Sequence, residues 1–148
     1  MIMDSGDRRA FDTGAVRDMQ EGKGRCDLLP IQVVARLYIH DWVLRHLAAF
    51  VEDNNTDHLY DALRQFASDT YKGKETMLLE TAKHFEEGAA KYGENNWQKG
   101  IPVWCYLDSA IRHYLKHKRG DTDERHDRAF CWNILCCIWE VDYHNAQN

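Results

Sequence analysis

The polar residues that interrupt the apolar periodicity of 78–140 are those whose types could do chemistry. The last segment reads HDRAFCWNILCCIWE, with apolar residues on nearly every side from Ala129 to Trp139, as in a helix buried within a bundle. Yet His126, Phe130, Asn133, Cys137 and Glu140 recur at helical spacing along one face. A buried His, Asn or Glu left unpaired costs about 1–3 kcal/mol, so this stripe is expected to face a polar site. His126 and Asn133 stand two turns apart, about 10.5 Å along the axis, a span that a nucleotide or a hydrated metal ion could bridge.

The preceding helical pattern carries Asp108 and Arg112 four residues apart, with His113 beside them. The pair could be an ordinary exposed ion pair worth a few tenths of a kcal/mol. Alternatively, the carboxylate is a metal ligand or general base and the guanidinium a phosphate clamp. One helix earlier, Glu86 lies at the margin of the apolar stripe and can reach the interior, whereas Glu87 lies on the far side with Glu80 and Lys91. Glu86, Asp108 and the weaker candidate Asp127 are the expected metal ligands, with His126 as a ligand's neighbour or a proton-transfer group. In the segment GAVRDMQEGKGRCDLLP, Gly22 and Gly24 let the backbone approach a ligand while Lys23 and Arg25 present cations. A lone GKG lacks the spacing of a Walker motif, and a flexible basic turn is the alternative. In GENNWQKGIP, Asn96 offers hydrogen bonds and Trp97 a stacking surface, or else Trp97 merely lids the core.

These candidates need a helical scaffold. Residues 1–27 are polar and hold Gly6, Gly14, Gly22 and Gly24, which reads as an arm and not a core element. Pro30 opens a helix expected over 31–51, with Val34, Leu37, Leu44, Ala48 and Val51 on its apolar face. Thr56 and Asp57 start a second helix carrying Leu59, Leu63 and Phe66. A third is expected over 76–92 with Leu78, Ala82, Phe85, Ala89 and Tyr92 on one stripe, stopped by Gly93. The fourth runs over 103–116. Thr122 is the expected cap of the last helix, with Asp123 and Glu124 in its first turn where they favour the dipole. The class is all-α, a bundle of four to five helices with a polar N-terminal arm.

A chain of 148 residues suits one domain with a real core. Its 24 Asp and Glu against 19 Lys and Arg argue against a general nucleic-acid binder, whose affinity comes from excess cations, and are compatible with divalent metal ions. No apolar run reaches the length of a membrane span and the opening MIMDSGDRRAFD lacks a signal-peptide core, so a cytoplasmic location is expected. Three of five cysteines lie on the last helix in no metal-finger spacing, which favours free thiols. Apolar residues on more than one helix face predict a homo-oligomer.

The succession GAVRDMQEGKGRCDLLP, HFEEGAAKYGENNWQKGIP and YLDSAIRHYLKHKRGDTDERHDRAFCWNILC resembles the bacteriophage dATP/dGTP diphosphohydrolase N-terminal domain family. The resemblance implies a MazG-like, all-α nucleoside triphosphate pyrophosphohydrolase that cleaves a purine dNTP to the monophosphate and pyrophosphate with Mg2+ or Mn2+, as an oligomer, in the host cytoplasm if phage-encoded. The general MazG-like pattern has a Glu-Glu pair, a third Glu three residues on and a later Glu-x-x-Asp. Here Ala90 stands where the third Glu would be, and the last helix offers His126, Asp127 and Asn133. The segment 31–77, between LLP and the third helix, is then a candidate insertion. The expected assignment gives Glu86, Asp108 and His126 to catalysis, and Lys23, Arg25, Asn96, Trp97, Arg112, His113 and Asn133 to the substrate. The competing function is a nucleotide-binding or interaction module that has lost catalysis, and a purely structural helical protein would leave the polar stripe unexplained.

Overall fold

The computed structural model describes residues 4–144. Six α-helices form an all-α bundle: α1 (Ile31–Leu37), α2 (Trp42–Asp53), α3 (Asp57–Thr70), α4 (Lys74–Tyr92), α5 (Val103–Arg119) and α6 (His126–Trp139). A π-helical turn, Glu140–His144, continues α6. No helix among the described residues is long and apolar enough to cross a membrane.

The helix expected over 31–51 is two helices. Asp41 caps α2 by accepting the Leu44 amide at 3.0 Å, and its other oxygen accepts the Tyr114 hydroxyl of α5 at 2.6 Å. A capping residue takes non-helical backbone angles, so Tyr38–Asp41 leaves the helix and the apolar periodicity runs across a break. The expected cap Thr122 is also displaced: α6 begins at His126, which places Asp123 and Glu124 in the connection before it.

The core centres on α3, α5 and α6, where Phe66 packs against Phe130 with ring centroids 4.6 Å apart and Tyr114 lies 5.3 Å from Phe130. The α5 and α6 helices share the most extensive interface. As expected of a helix apolar on nearly all sides, α6 buries His126, Asn133 and most of its apolar residues.

The N-terminal arm is not an unstructured tail. Its residues form an antiparallel hairpin of β1 (Arg8–Ala10) and β2 (Val16–Asp18), and Ala15 in the turn is fully buried. Such a short hairpin is not stable alone. Asn96 holds it, accepting the Val16 amide and donating to the Val16 carbonyl, both at 2.8 Å, as a neighbouring strand would.

Candidate functional site

Docking of the hairpin closes a cavity of about 410 Å³ between β2, α4, α5 and α6, a size typical of small-molecule sites. Arg17 of β2 enters it. Its guanidinium crosses the rings of Tyr106 and Trp132 at 5.4 and 5.7 Å. The Nη2 donates to Ser109 Oγ at 2.8 Å and Asn133 Oδ1 at 3.1 Å. Asn133 is held for this by its own amide, which donates to the Ala129 carbonyl at 2.8 Å and so turns the oxygen toward Arg17. The Nη1 of Arg17 is shielded from solvent and has no hydrogen-bond partner among the described residues. Burial pushes the pKa of Arg17 down, and among the described residues no carboxylate contacts it to oppose that. A desolvated cation with an unfilled donor has the chemistry to hold an anion.

Around Arg17 the lining includes Arg9, Lys23, Arg112 and Lys116. Lys23 lies 3.0 Å from Asp18. Arg112 Nη2 donates to the Gly24 carbonyl at 2.7 Å and to Asp108 at 2.6 Å, and Asp108 accepts the Cys26 amide at 2.6 Å. Asp108 and Arg112 therefore clamp the glycine-rich loop that presents Lys23.

The lining also carries imidazole and carboxylate. His113 and His126 face each other with their Nδ1 atoms 2.9 Å apart, and His126 Nε2 lies 2.8 Å from Asp123 Oδ1. His113, Glu124 and His126 bring ligand atoms within 4.8 Å of one another, as do Asp121, Asp123 and His126. Burial, reinforced by His126, keeps the His113 pKa well below its ordinary value.

His84, also on the cavity, is pushed by burial to a pKa of about 4. This sets a pH dependence of stability. Well above pH 6.5 the imidazole is neutral in both states and its contribution is complete. As pH falls toward 4, the unfolded chain takes up a proton that the folded chain refuses, and stability drops by about 2 kcal/mol by pH 5 from His84 alone. His113 and His117, depressed by burial as well, act in the same direction. Melting temperatures at pH 7, 6 and 5 should fall steadily, and His84→Gln should flatten part of that slope.

Of the residues singled out in the sequence, Lys23, Asn96, Arg112, His113 and Asn133 line the cavity. Asn96 and Asn133 spend their side chains on positioning Val16 and Arg17. Arg25 points elsewhere, paired with Asp27 and 4.0 Å over the Trp104 ring, and Trp97 packs against Phe85 and Trp139. His126 is not on the lining and meets it through His113. Glu86, Asp108 and Asp127 are not brought together as metal ligands. Glu86 is exposed and off the cavity, while its neighbour Glu87 is half-buried. Asp108 is fully buried in its contacts to Arg112 and Cys26. Asp127 is bonded to Tyr71 at 2.7 Å and Arg125 at 2.8 Å. Burial pushes the Asp127 pKa up, but those bonds outweigh it and hold the group at about 2. Among the described residues, no group of three potential ligands includes any of the three.

Sequence reasoning missed Arg17, Arg9, His84, Lys116, Trp132 and Asp123 as cavity residues. His84 and Trp132 carried a readable signal, since each lies one turn or less from a residue that was singled out. Arg17, in a three-residue strand, carried none.

The profile of the family described as dATP/dGTP diphosphohydrolase, N-terminal, matches residues 74–148, half of the chain. The chain belongs to this family. The dATP/dGTP diphosphohydrolase match begins with α4 and takes in α5 and α6, which supply His84, Ser109, Arg112, His113, Trp132 and Asn133 to the cavity. Arg17 and Lys23 come from outside it. Comparison with curated proteins and with solved structures found no match.

Proposed function

We propose that the chain hydrolyses purine deoxynucleoside triphosphates, dATP or dGTP, to the monophosphate and pyrophosphate. The observation that carries this is a cavity lined by Arg17, whose guanidinium contacts no carboxylate among the described residues, and by four further Lys and Arg side chains. A triphosphate matches that surplus of donors. Arg17 would turn its guanidinium toward a phosphate oxygen on binding, and Lys23 and Lys116 would neutralise others. Trp132 and Tyr92, on the same lining, offer faces for the base. Glu124 and the imidazoles of His113 and His126 are the groups that would hold a divalent ion. Such an ion, Mg2+ or Mn2+, neutralises phosphate charge and acidifies a bound water. A carboxylate of this rim would take the proton of the attacking water.

Association of several copies fits the same reading. Leu37 is 75 % exposed, Leu79 70 % and Ile39 69 %, and apolar side chains left this open are suited to a partner surface.

Incubation of the chain with each dNTP and either ion, with all products identified, tests the proposal. Pyrophosphate and monophosphate from dATP or dGTP are expected. Orthophosphate in place of pyrophosphate would exclude the reaction. Saturable nucleotide binding without product would leave a binding module, the alternative favoured by the exposure of Glu86 and by Ala90 in place of a third Glu.

A further inference from the structure

The connection between α5 and α6 brings together groups that the phosphate-binding side of the cavity does not use. His113 projects from the middle of α5, His126 opens α6, and Glu124 lies just before it. We propose that His113, His126 and Glu124 form a mixed imidazole–carboxylate site for a first-row transition ion of the Mn2+ and Co2+ type, and that Mg2+ is the weaker ligand there. The proposal builds on the reading of the cavity as a triphosphate site, because the ion would sit at its edge beside the phosphates.

Three observations carry it. The first is convergence, since one ligand atom from each of the three residues falls within 4.8 Å of the others. The second is spacing. Two nitrogens bound to one ion at roughly 2.1 Å lie about 3.0 Å apart on an octahedral edge and about 3.4 Å apart on a tetrahedral one. The Nδ1 atoms of His113 and His126 are 2.9 Å apart, on the octahedral side. That distance also suits a hydrogen bond between the two imidazoles, which an ion bound to both nitrogens would replace. Third, His126 turns its Nε2 to Asp123 at 2.8 Å. A carboxylate on the far nitrogen is the outer partner that fixes tautomer and ring orientation in metal-binding histidines, leaving the other nitrogen's lone pair directed at the position an ion would take. His126, only 2 % exposed, is thereby fixed with Nδ1 directed at His113.

The donor types set the choice of ion. Mg2+ is hard, keeps several waters and prefers oxygen, whereas imidazole suits the later divalent ions, whose affinity rises from Mn2+ through Co2+ to Ni2+. Two nitrogens and one oxygen place the site with the latter.

The test is binding, read without nucleotide. The metal-stripped full chain is titrated with CoCl2 and followed by visible absorption, then competed with MgCl2 and MnCl2. Co2+ is expected to bind about tenfold or more tighter than Mg2+, with an absorption band of six-coordinate type. His113→Gln and Glu124→Gln are each expected to weaken Co2+ by about tenfold or more. His126 is buried, so its variant is judged only where circular dichroism shows a folded chain, and the other two variants decide the matter regardless. Equal affinity for Co2+ and Mg2+ would overturn the proposal, as would unchanged Co2+ binding in both variants. Pyrophosphate release is assayed in parallel. Loss of Co2+ preference with release intact sinks this site alone, and Co2+ preference without release sinks the hydrolase reading alone.

Discussion

Replacing Arg17 with Met is expected to remove tight triphosphate binding while leaving the melting temperature of the ligand-free protein within a few degrees of the parent. The two expectations come from the same fact. Arg17 is a buried cation with an unfilled Nη1, so a phosphate oxygen to which it turned would meet a desolvated donor, and truncating such a charged hydrogen bond costs about 2–5 kcal/mol, or roughly 30- to 4,000-fold in affinity. The free protein, by contrast, bears the cost of burying a guanidinium with no carboxylate beside it, and burial already pushes its pKa down. Exchanging a buried charge for an apolar chain of similar length is often neutral or better for stability. Met can follow the arginine stem across Tyr106 and Trp132, and the losses are the bonds to Ser109 and Asn133. Calorimetric dNTP binding and thermal melts, both in phosphate-free buffer, check the two halves. Parent-level affinity in the variant would remove Arg17 from the site.

The second large effect is expected at Asp108, and it is an effect on stability. Asp108→Asn keeps the volume but turns one acceptor into a donor facing either the Cys26 amide or Arg112, both at 2.6 Å. Arg112 would then be a buried cation without its partner, which costs about 3–5 kcal/mol, a fall in melting temperature on the order of 10 °C for a chain of this size. The glycine-rich loop, tied through the Gly24 carbonyl to the same guanidinium, would loosen with it. Urea unfolding of the variant measures the loss. A change below about 1 kcal/mol would mean that Asp108 is not the anchor, and its reading as a ligand would return.

The contrast between these residues shows what the sequence could disclose. The bundle was legible because α6 is apolar on almost every side and α3 to α5 keep their period, and the polar residues of α5 and α6 were legible as exceptions to it. The orientation of α4 was not. Its expected stripe began at Leu78, yet Leu78 is 49 % exposed, and the buried positions are Met77 and Thr81. Thr81 can be buried because its hydroxyl donates to the Met77 carbonyl at 2.7 Å, a satisfaction that hydropathy does not register. The face is therefore turned from the one expected: Met77, Thr81, His84 and Gly88 lie inward and Glu86 outward. The break at Asp41 escaped for a similar reason, because the Tyr114 hydroxyl that helps fix it lies 73 residues away. Arg17 escaped most completely. A three-residue strand has no periodicity to read, and besides the equally short β1 it is held by the side chain of Asn96.

The most direct measurement is a crystal structure of the chain with a dATP or dGTP analogue whose α–β bridging oxygen is an imido group, so that hydrolysis to pyrophosphate is blocked. The account predicts the triphosphate inside the cavity, with a phosphate oxygen within hydrogen-bond distance of Arg17 Nη1 and the α-phosphate toward the edge formed by His113 and Glu124. A nucleotide bound elsewhere, or a cavity in which Arg17 Nη1 is satisfied by a protein acceptor, would contradict it.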